Sequence, residues 1–409
     1  MLTLSFDSDR FCVTHMTLKP LATLLALLGA GSALADPQFD TCIPVLQQKA
    51  LAAGITPDTV NNVLAKVQYV TRVIELDRAQ PEFSETFHNY LTKRVTDERV
   101  RMGRKMLAEH HDLLLKLQQQ YGVPPQYLMA FWGLETNFGS YLGKMPVLDS
   151  LATLACDPRR SEFFTGELIQ ALKMVDENVV TPERFQGSWA GAVGNMQFMP
   201  SAYRAHAVDG DGDQRADLWR SIPDAMTSAA NYLSKMGWKK ELRWGREVTL
   251  PQGFDYSLAS LAEKRSLAQW ADLGVTMANG SPLPRYELQA SILVPSGHTG
   301  PAFVVYDNFE IIMRWNRSEY YAIAVGHLAD RINGGGELHR APPNQPRLLI
   351  EQVRQLQTAL NAAGFDTGNP DGILGSGTRK AIRAYQKSKG MIADGYPSAD
   401  VFAALGVKL

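Results

Sequence analysis

Apolar residues recur at helical spacing along most of the chain. Residues 44–117 read as helix. Within 92–121, Val95, Met102, Met106, Leu113 and Leu117 fall near that spacing, with Lys, Arg, Asp and Glu between them. This is an amphipathic pattern whose Met and Leu side chains should enter a core. Pro124 and Pro125 suit a helix start. Leu128, Phe131, Trp132 and Glu135 then share one face, and Gly139 is a plausible stop. Further helices are expected over 162–175, 222–236 and 309–333. Residues 247–301 are less regular, with short alternating runs such as Tyr286-Glu-Leu-Gln-Ala that suit a small sheet. No internal repeat is evident.

Gly334-Gly335-Gly336 and the Pro-rich run from Arg340 to Pro346 interrupt the pattern. They divide the chain into 36–335, a linker at 336–346, and a small unit at 347–409. In that unit Leu348, Ile350, Val353, Leu356 and Leu360 form one amphipathic helix. Ala381, Ile382 and Tyr385 form another, with Thr378 expected as its cap. So small a unit has little core and no catalytic cluster, so a binding role is expected.

The chain has 409 residues, 45% of them hydrophobic, and a formal net charge of -1. That balance argues against nucleic acid as a partner. No Gly-rich phosphate loop, CxxC pair or HExxH helix is present, and the eight histidines show no zinc spacing. His110 and His111 read as surface and boundary residues, and Arg159-Arg160 as a solvated basic pair. Residues 1–35 read as an export signal, with Met16 as an alternative start, an apolar core at 21–28, and Ala33-Leu34-Ala35 before the cleavage point. The apolar core is too short to span a bilayer, no later segment is a transmembrane candidate, and a soluble exported protein is expected. Cys42 and Cys156 remain after removal of the signal. In an oxidising compartment they are disulfide candidates, with two buried thiols as the alternative.

The candidate chemistry lies in three blocks. Glu135 stands inside Phe131-Trp-Gly-Leu-Glu-Thr-Asn-Phe-Gly139. A carboxyl in apolar, aromatic surroundings should hold its proton near neutrality and be able to protonate a leaving group; a lone Glu at a frayed helix end is the plainer reading. Residues 188–203 place Ser188, Asn195 and Gln197 beside aromatic surface and a run of small or Gly residues, a mixture that suits a sugar. Residues 209–217 carry Asp209, Asp211 and Asp213 at alternate positions in a Gly-containing loop. Oxygens so placed suit calcium, although Gln214 and Arg220 depart from the twelve-residue pattern; a solvated acidic turn is the alternative.

Together these blocks resemble the lytic murein transglycosylases of the membrane-bound B type. The likeness rests on Trp-Gly-x-Glu-Thr at 132–136, Ser-Trp-Ala-Gly-x-x-Gly-x-x-Gln-Phe-Met-Pro at 188–200, and Asp-Leu-Trp at 217–219. It extends to Ala-Asn-Tyr-Leu at 230–233 and Arg-Trp-Asn-Arg-Ser-x-Tyr-Tyr-Ala at 314–322. The C-terminal unit resembles three-helix peptidoglycan-binding modules through Gln355-Leu-Gln357, Asp371-Gly-x-x-Gly-x-x-Thr378 and Ala384-Tyr-Gln386.

The resemblance implies a mainly α, lysozyme-like catalytic domain with a small β-containing subdomain. It implies a lytic transglycosylase acting on peptidoglycan, periplasmic, with cell-wall machinery proteins as partners. Glu135 matches the single acid/base, and Ser188 matches a residue that orients it. Gln197, Tyr232 and Asn316 match groups lining the cleft. Trp315 stands where the family has Tyr, which keeps a ring and loses a hydroxyl. A structural calcium would take Asp209, Asp211, Asp213, the Arg215 carbonyl and Asp224; no cofactor is implied for the chemistry. A hydrolytic muramidase and a non-catalytic peptidoglycan-binding scaffold are the competing readings.

Overall fold

The computed structural model describes residues 37–78 and 85–409. The export signal, Cys12 and Met16 lie outside the described residues. Helices dominate. Their apolar stripes converge on one large core that includes Leu114, Leu128, Phe131, Leu151, Leu168, Ala229 and Leu328. The helix Pro125–Thr136 runs through it. Tyr127 to Gly133 are all buried, so this helix is apolar all round rather than amphipathic, as an enclosed helix must be.

Several expected helices are shorter than their patterns. The 92–121 pattern breaks into Phe87–Arg94, Asp97–Glu109 and His111–Tyr121. Thr86 and Thr96 cap the first two, and the second break comes at His110. Because the breaks rotate the stripe, Met102 is exposed, against its expected place in the core. The 309–333 pattern splits into Asp307–Trp315 and Glu319–Ile332, with Ser318 capping the second.

Five antiparallel strands form a small sheet in the order Arg265–Ser266, Gln289–Leu293, Ala302–Val305, Gly245–Thr249, Thr276–Met277. The strand expected near Tyr286 begins three residues later, and Tyr286 itself is exposed. Side chains alternate across the sheet. Leu293, Phe303 and Val305 face the main core. Ile292, Ala302 and Val304 face a second core with Phe254, Leu267 and Trp270.

The C-terminal unit has helices Ile350–Ala362, Ser376–Ser388 and Ala399–Ala404 around Leu356, Leu360, Ile382, Tyr385 and Phe402. Thr378 is not the cap. Gly375 holds that place, and Thr378 lies one turn inside, donating to Ile373 O and accepting from Gln357 Nε2. A repetition invisible in the sequence is visible here. Gln357 donates to Asp371 and accepts from Gly372 N. Gln386 donates to Asp394 and accepts from Gly395 N in the same way.

The Gly- and Pro-rich segment is held against the larger unit. Glu247 accepts from His339 N at 2.7 Å and Arg340 N at 2.8 Å. Pro342 O meets His88 Nδ1 at 2.9 Å, and Gln345 Nε2 donates to Ser296 O.

Arg159 and Arg160 are partly solvated, as expected, but they are not free. Both bind the buried carboxylate of Asp77, which offsets the cost of enclosing that charge. His111 is exposed, and His110 packs its ring edge-on against Trp132.

Cys42, on Pro37–Ala52, is disulfide-bonded to Cys156 at the end of Val147–Cys156, with Cα atoms 5.9 Å apart. The bridge joins residues 114 apart. Closing so long a loop restricts the unfolded chain, and such bridges contribute about 2–5 kcal/mol. Replacing both cysteines with Ser should therefore lower the unfolding free energy by about that amount, measured by urea denaturation. The denatured, non-reduced wild type should show no free thiol from this pair.

Candidate functional site

Glu135 lies in the last turn of the buried helix and is half-exposed. The helix stops at once because Asn137, Phe138 and Gly139 all take positive φ, which turns the chain sharply away. Thr136, next to the acid, is buried; its hydroxyl donates to Asn195 O at 2.8 Å and accepts from Gly139 N. The acid is thus carried on a rigid element and opens to the surface where that element ends.

Two donors meet one oxygen of the acid. Trp315 Nε1 donates to Glu135 Oε1 at 3.0 Å, and Tyr321 OH donates to the same atom. Trp315 comes from the end of Asp307–Trp315 and Tyr321 from the first turn of Glu319–Ile332. The break between those helices is what lets both face Glu135.

Trp315 sits among rings. Phe131 lies 4.5 Å away, Tyr232 5.2 Å and Phe198 5.4 Å, centroid to centroid. Tyr232 stacks at 4.4 Å on His206. Burial, with a smaller effect from the Glu167 carboxylate, raises the Tyr232 phenol above its usual range. Burial, with Lys235 adding to it, lowers His206. The stack is therefore between neutral rings at neutral pH.

The 188–200 segment folds back on itself through Val193 and Phe198. Ser188 Oγ accepts from Ala192 N at 3.0 Å. Gln197 has φ 48, unusual for a residue with a side chain, and its Nε2 donates to Leu142 O and Gly194 O. Such strain persists only where the surroundings enforce it. Gly194 is required by space: a Cβ there would lie 2.6 Å from Leu218 O.

Asn195 faces inward, a clamp rather than a sugar contact. It is buried; its Nδ2 donates to Leu218 O and Trp219 O, and its Oδ1 accepts from Trp132 Nε1 at 3.0 Å. Asn316 ends the helix Asp307–Trp315, and its carbonyl accepts from Ser318 N at 2.7 Å.

The rings bring Glu135, Trp315, Tyr232 and the Gln197-Phe198 turn together. The acidic loop is separate, at the other end of the helix Ile222–Lys235 from Tyr232. Carboxylate oxygens of Asp209, Asp211, Asp213 and Asp224 lie within 4.8 Å of one another. Asp224 is fully buried; it accepts from Gly210 N, Asp211 N and Asp217 N. Desolvation pushes Asp209 up, but backbone N–H groups of Gly212 and Gln214 outweigh it and hold the carboxyl below its usual range. An all-oxygen donor set of carboxylates fits a hard divalent cation. Arg215 N donates to Asp213, which turns the chain there.

Tyr321 is the functional residue that the residue-by-residue reading passed over. Its signal was the Tyr-Tyr pair of the 314–322 motif, where helical phase alone does not say which ring turns toward the acid.

Comparison with known proteins agrees with this architecture. Residues 38–330 match the Transglycosylase SLT domain family, and residues 350–405 match the putative peptidoglycan binding domain. Membrane-bound lytic murein transglycosylase B of Escherichia coli (strain K12) is 38% identical over 250 residues. That match covers 59% of this chain and 66% of the relative, just under two thirds of its length. SltB3 from Pseudomonas aeruginosa, solved in complex with NAG-anhNAM-pentapeptide, is 44% identical with a TM-score of 0.85. It covers 91% of this chain and 100% of the solved one. Escherichia coli Slt35, solved in complex with calcium, is 32% identical with a TM-score of 0.61, over 73% of this chain and 93% of its own. Among the described residues no helix is long and apolar enough to cross a membrane. With the family matched over most of its length and the acid-bearing helix, sheet and C-terminal helices all in place, the chain belongs to the Transglycosylase SLT family, as a lytic murein transglycosylase of the B type with a C-terminal peptidoglycan-binding domain.

Proposed function

We propose that the enzyme cleaves the β-1,4 bond between N-acetylmuramic acid and N-acetylglucosamine in peptidoglycan, leaving a 1,6-anhydro end, in the periplasm. The observation that carries this reading is Glu135 at the mouth of a buried helix, its Oε1 held by the Trp315 indole and the Tyr321 phenol. An indole N–H can only donate, so Oε1 serves as acceptor and the transferable proton belongs on Oε2. Most glycosidases use two carboxylates. Here one suffices if the sugar supplies its own nucleophile.

Glu135 first gives its proton to the bridging oxygen as the C1–O bond breaks. The acetamido group of the sugar stabilises the cationic centre. The C6 hydroxyl then attacks C1 and returns its proton to Glu135. No water enters, so the site must exclude it or hold it out of line. The ring cluster of Phe131, Phe198, Tyr232 and Trp315 supports that requirement, and its half-buried members Tyr232 and Trp315 offer a face for the sugar C–H groups. Ser188, Gln197 and Asn316 line the same cleft in this reading. The division into 36–335, 336–346 and 347–409 assigns chemistry to the first unit and glycan binding to the last.

Glu135→Gln keeps shape and removes the transferable proton. It should lower turnover of purified sacculi by at least a thousandfold, while the variant still sediments with them. Mass spectrometry of wild-type products should find muropeptides lighter by one water than hydrolytic ones. Hydrolytic products would favour a muramidase, and activity of the variant within tenfold of wild type would remove Glu135 as the acid.

The acidic loop is proposed to hold a structural calcium through Asp209, Asp211, Asp213, Asp224 and the Arg215 carbonyl. Adding calcium to chelated protein should raise the melting temperature. Linkage gives about 2.7 kcal/mol at one hundred times Kd. Asp213→Ala should abolish the rise and leave the reaction product unchanged. An unmoved wild-type transition at millimolar calcium would favour a solvated turn.

A further inference from the structure

The C-terminal unit touches the larger one at a point that leads to the acid. Asp394 is buried, and its Oδ2 accepts from His298 N at 2.9 Å and lies 2.7 Å from His298 Nδ1. The approach is close: a Cβ on Gly297 would sit 2.7 Å from Asp394 Oδ2 and 2.8 Å from Tyr396 Cβ, and Gly297 has φ +72. Arg383 Nη2 donates to Ala259 O at 2.7 Å. Arg379 Nη2 donates to Tyr320 OH at 3.4 Å, and Tyr320 OH in turn donates to Pro295 O at 3.2 Å. The Tyr320 ring is wedged between Phe87 at 5.3 Å and Tyr90 at 5.9 Å.

The module's own fold does not require these contacts. Its two Gln and Asp-Gly brackets are built alike, with Ile373 N on Asp371 Oδ1 matching Tyr396 N on Asp394 Oδ1. Asp371 is exposed, whereas Asp394 is enclosed against His298. One bracket is thus diverted to docking.

Tyr320 and Tyr321 are consecutive residues in the first turn of Glu319–Ile332. The first is held by Arg379 and the second holds Glu135. A turn of helix moves as a unit, because its hydrogen bonds are shared. We propose that the C-terminal module, besides binding glycan, positions the catalytic acid: Arg379, through Tyr320, fixes the turn that places the Tyr321 hydroxyl on Glu135. Arg379 is a positioning residue in this scheme, and the scheme rests on the reading of Glu135 as the acid.

The test uses the full-length enzyme on short soluble glycan fragments, too small to engage both units, across a range of pH. Arg379→Met keeps the aliphatic stem and removes the guanidinium. Tyr320→Phe keeps the wedged ring and removes the hydroxyl. Arg379→Lys restores a cationic donor. Both removals should lower kcat about tenfold with KM within about twofold, since small misplacements of reacting groups are costly. A carboxylate that loses a donor holds its proton more firmly, so the high-pH limb of the kcat profile should move to higher pH in both. The double variant should be no worse than either single one, and Arg379→Lys should recover most of the rate. Unchanged kcat and pH profile on fragments in both removals, with loss confined to intact sacculi, would overturn the proposal and leave the module as a binder alone. So would a fall in kcat with an unmoved limb and no rescue by Lys, which marks general destabilisation. Absence of anhydro product from the wild type would instead refute the functional reading itself.

Discussion

The buried amide of Asn195 ties the site together. From the 188–200 turn it reaches Trp132 on the acid helix and Leu218 and Trp219 beyond the acidic loop, while the backbone carbonyl of the same residue accepts from Thr136. Both polar atoms of the side chain are matched, and the residue itself is buried. An amide enclosed without partners costs roughly 1–3 kcal/mol, so the three segments are driven to this one arrangement. The acidic loop, far from the chemistry, gains a role from it. Asp224 gathers Gly210, Asp211 and Asp217, and the chain leaving Asp217 supplies the carbonyls that Asn195 reads. Order in the loop is passed on to the end of the helix that bears Glu135.

A second line of order reaches the acid from the opposite side, through the first turn of Glu319–Ile332. The two lines differ in kind. Asn195 acts inside the core, where packing leaves no alternative arrangement. The Tyr320 line runs through the contact between units, carried by the Arg379 and Tyr320 hydrogen bonds.

Much of this was legible in the sequence, and the failures have physical reasons. Glu135 could be read because a charge in an apolar run violates the ordinary pattern. The cysteine pair could be read because oxidised cysteines have few other fates. Met102 was misplaced because a Thr cap at residue 96 and a break at His110 reset the helical phase, and periodicity does not see a reset. Thr favours caps, which points to one at Thr378, yet here its hydroxyl serves the Gln357 bracket. Arg159 and Arg160 looked free because their partner, Asp77, lies some eighty positions away. The docking of the C-terminal unit was hidden altogether. A Gly- and Pro-rich stretch looks loose in sequence, and contacts distant in the chain, to Glu247, His88 and Ser296, turn it into a strap.

Trp315 sets an indole beside Glu135, and an indole can be seen as well as bonded. The protein has seven tryptophans, and this one has its N–H on the carboxyl proposed as the acid. Indole emission depends on the local field and on the strength of the N–H hydrogen bond. Each change in the charge of Glu135 therefore alters the light emitted by its neighbour, and the enzyme carries an intrinsic optical reporter of its own acid.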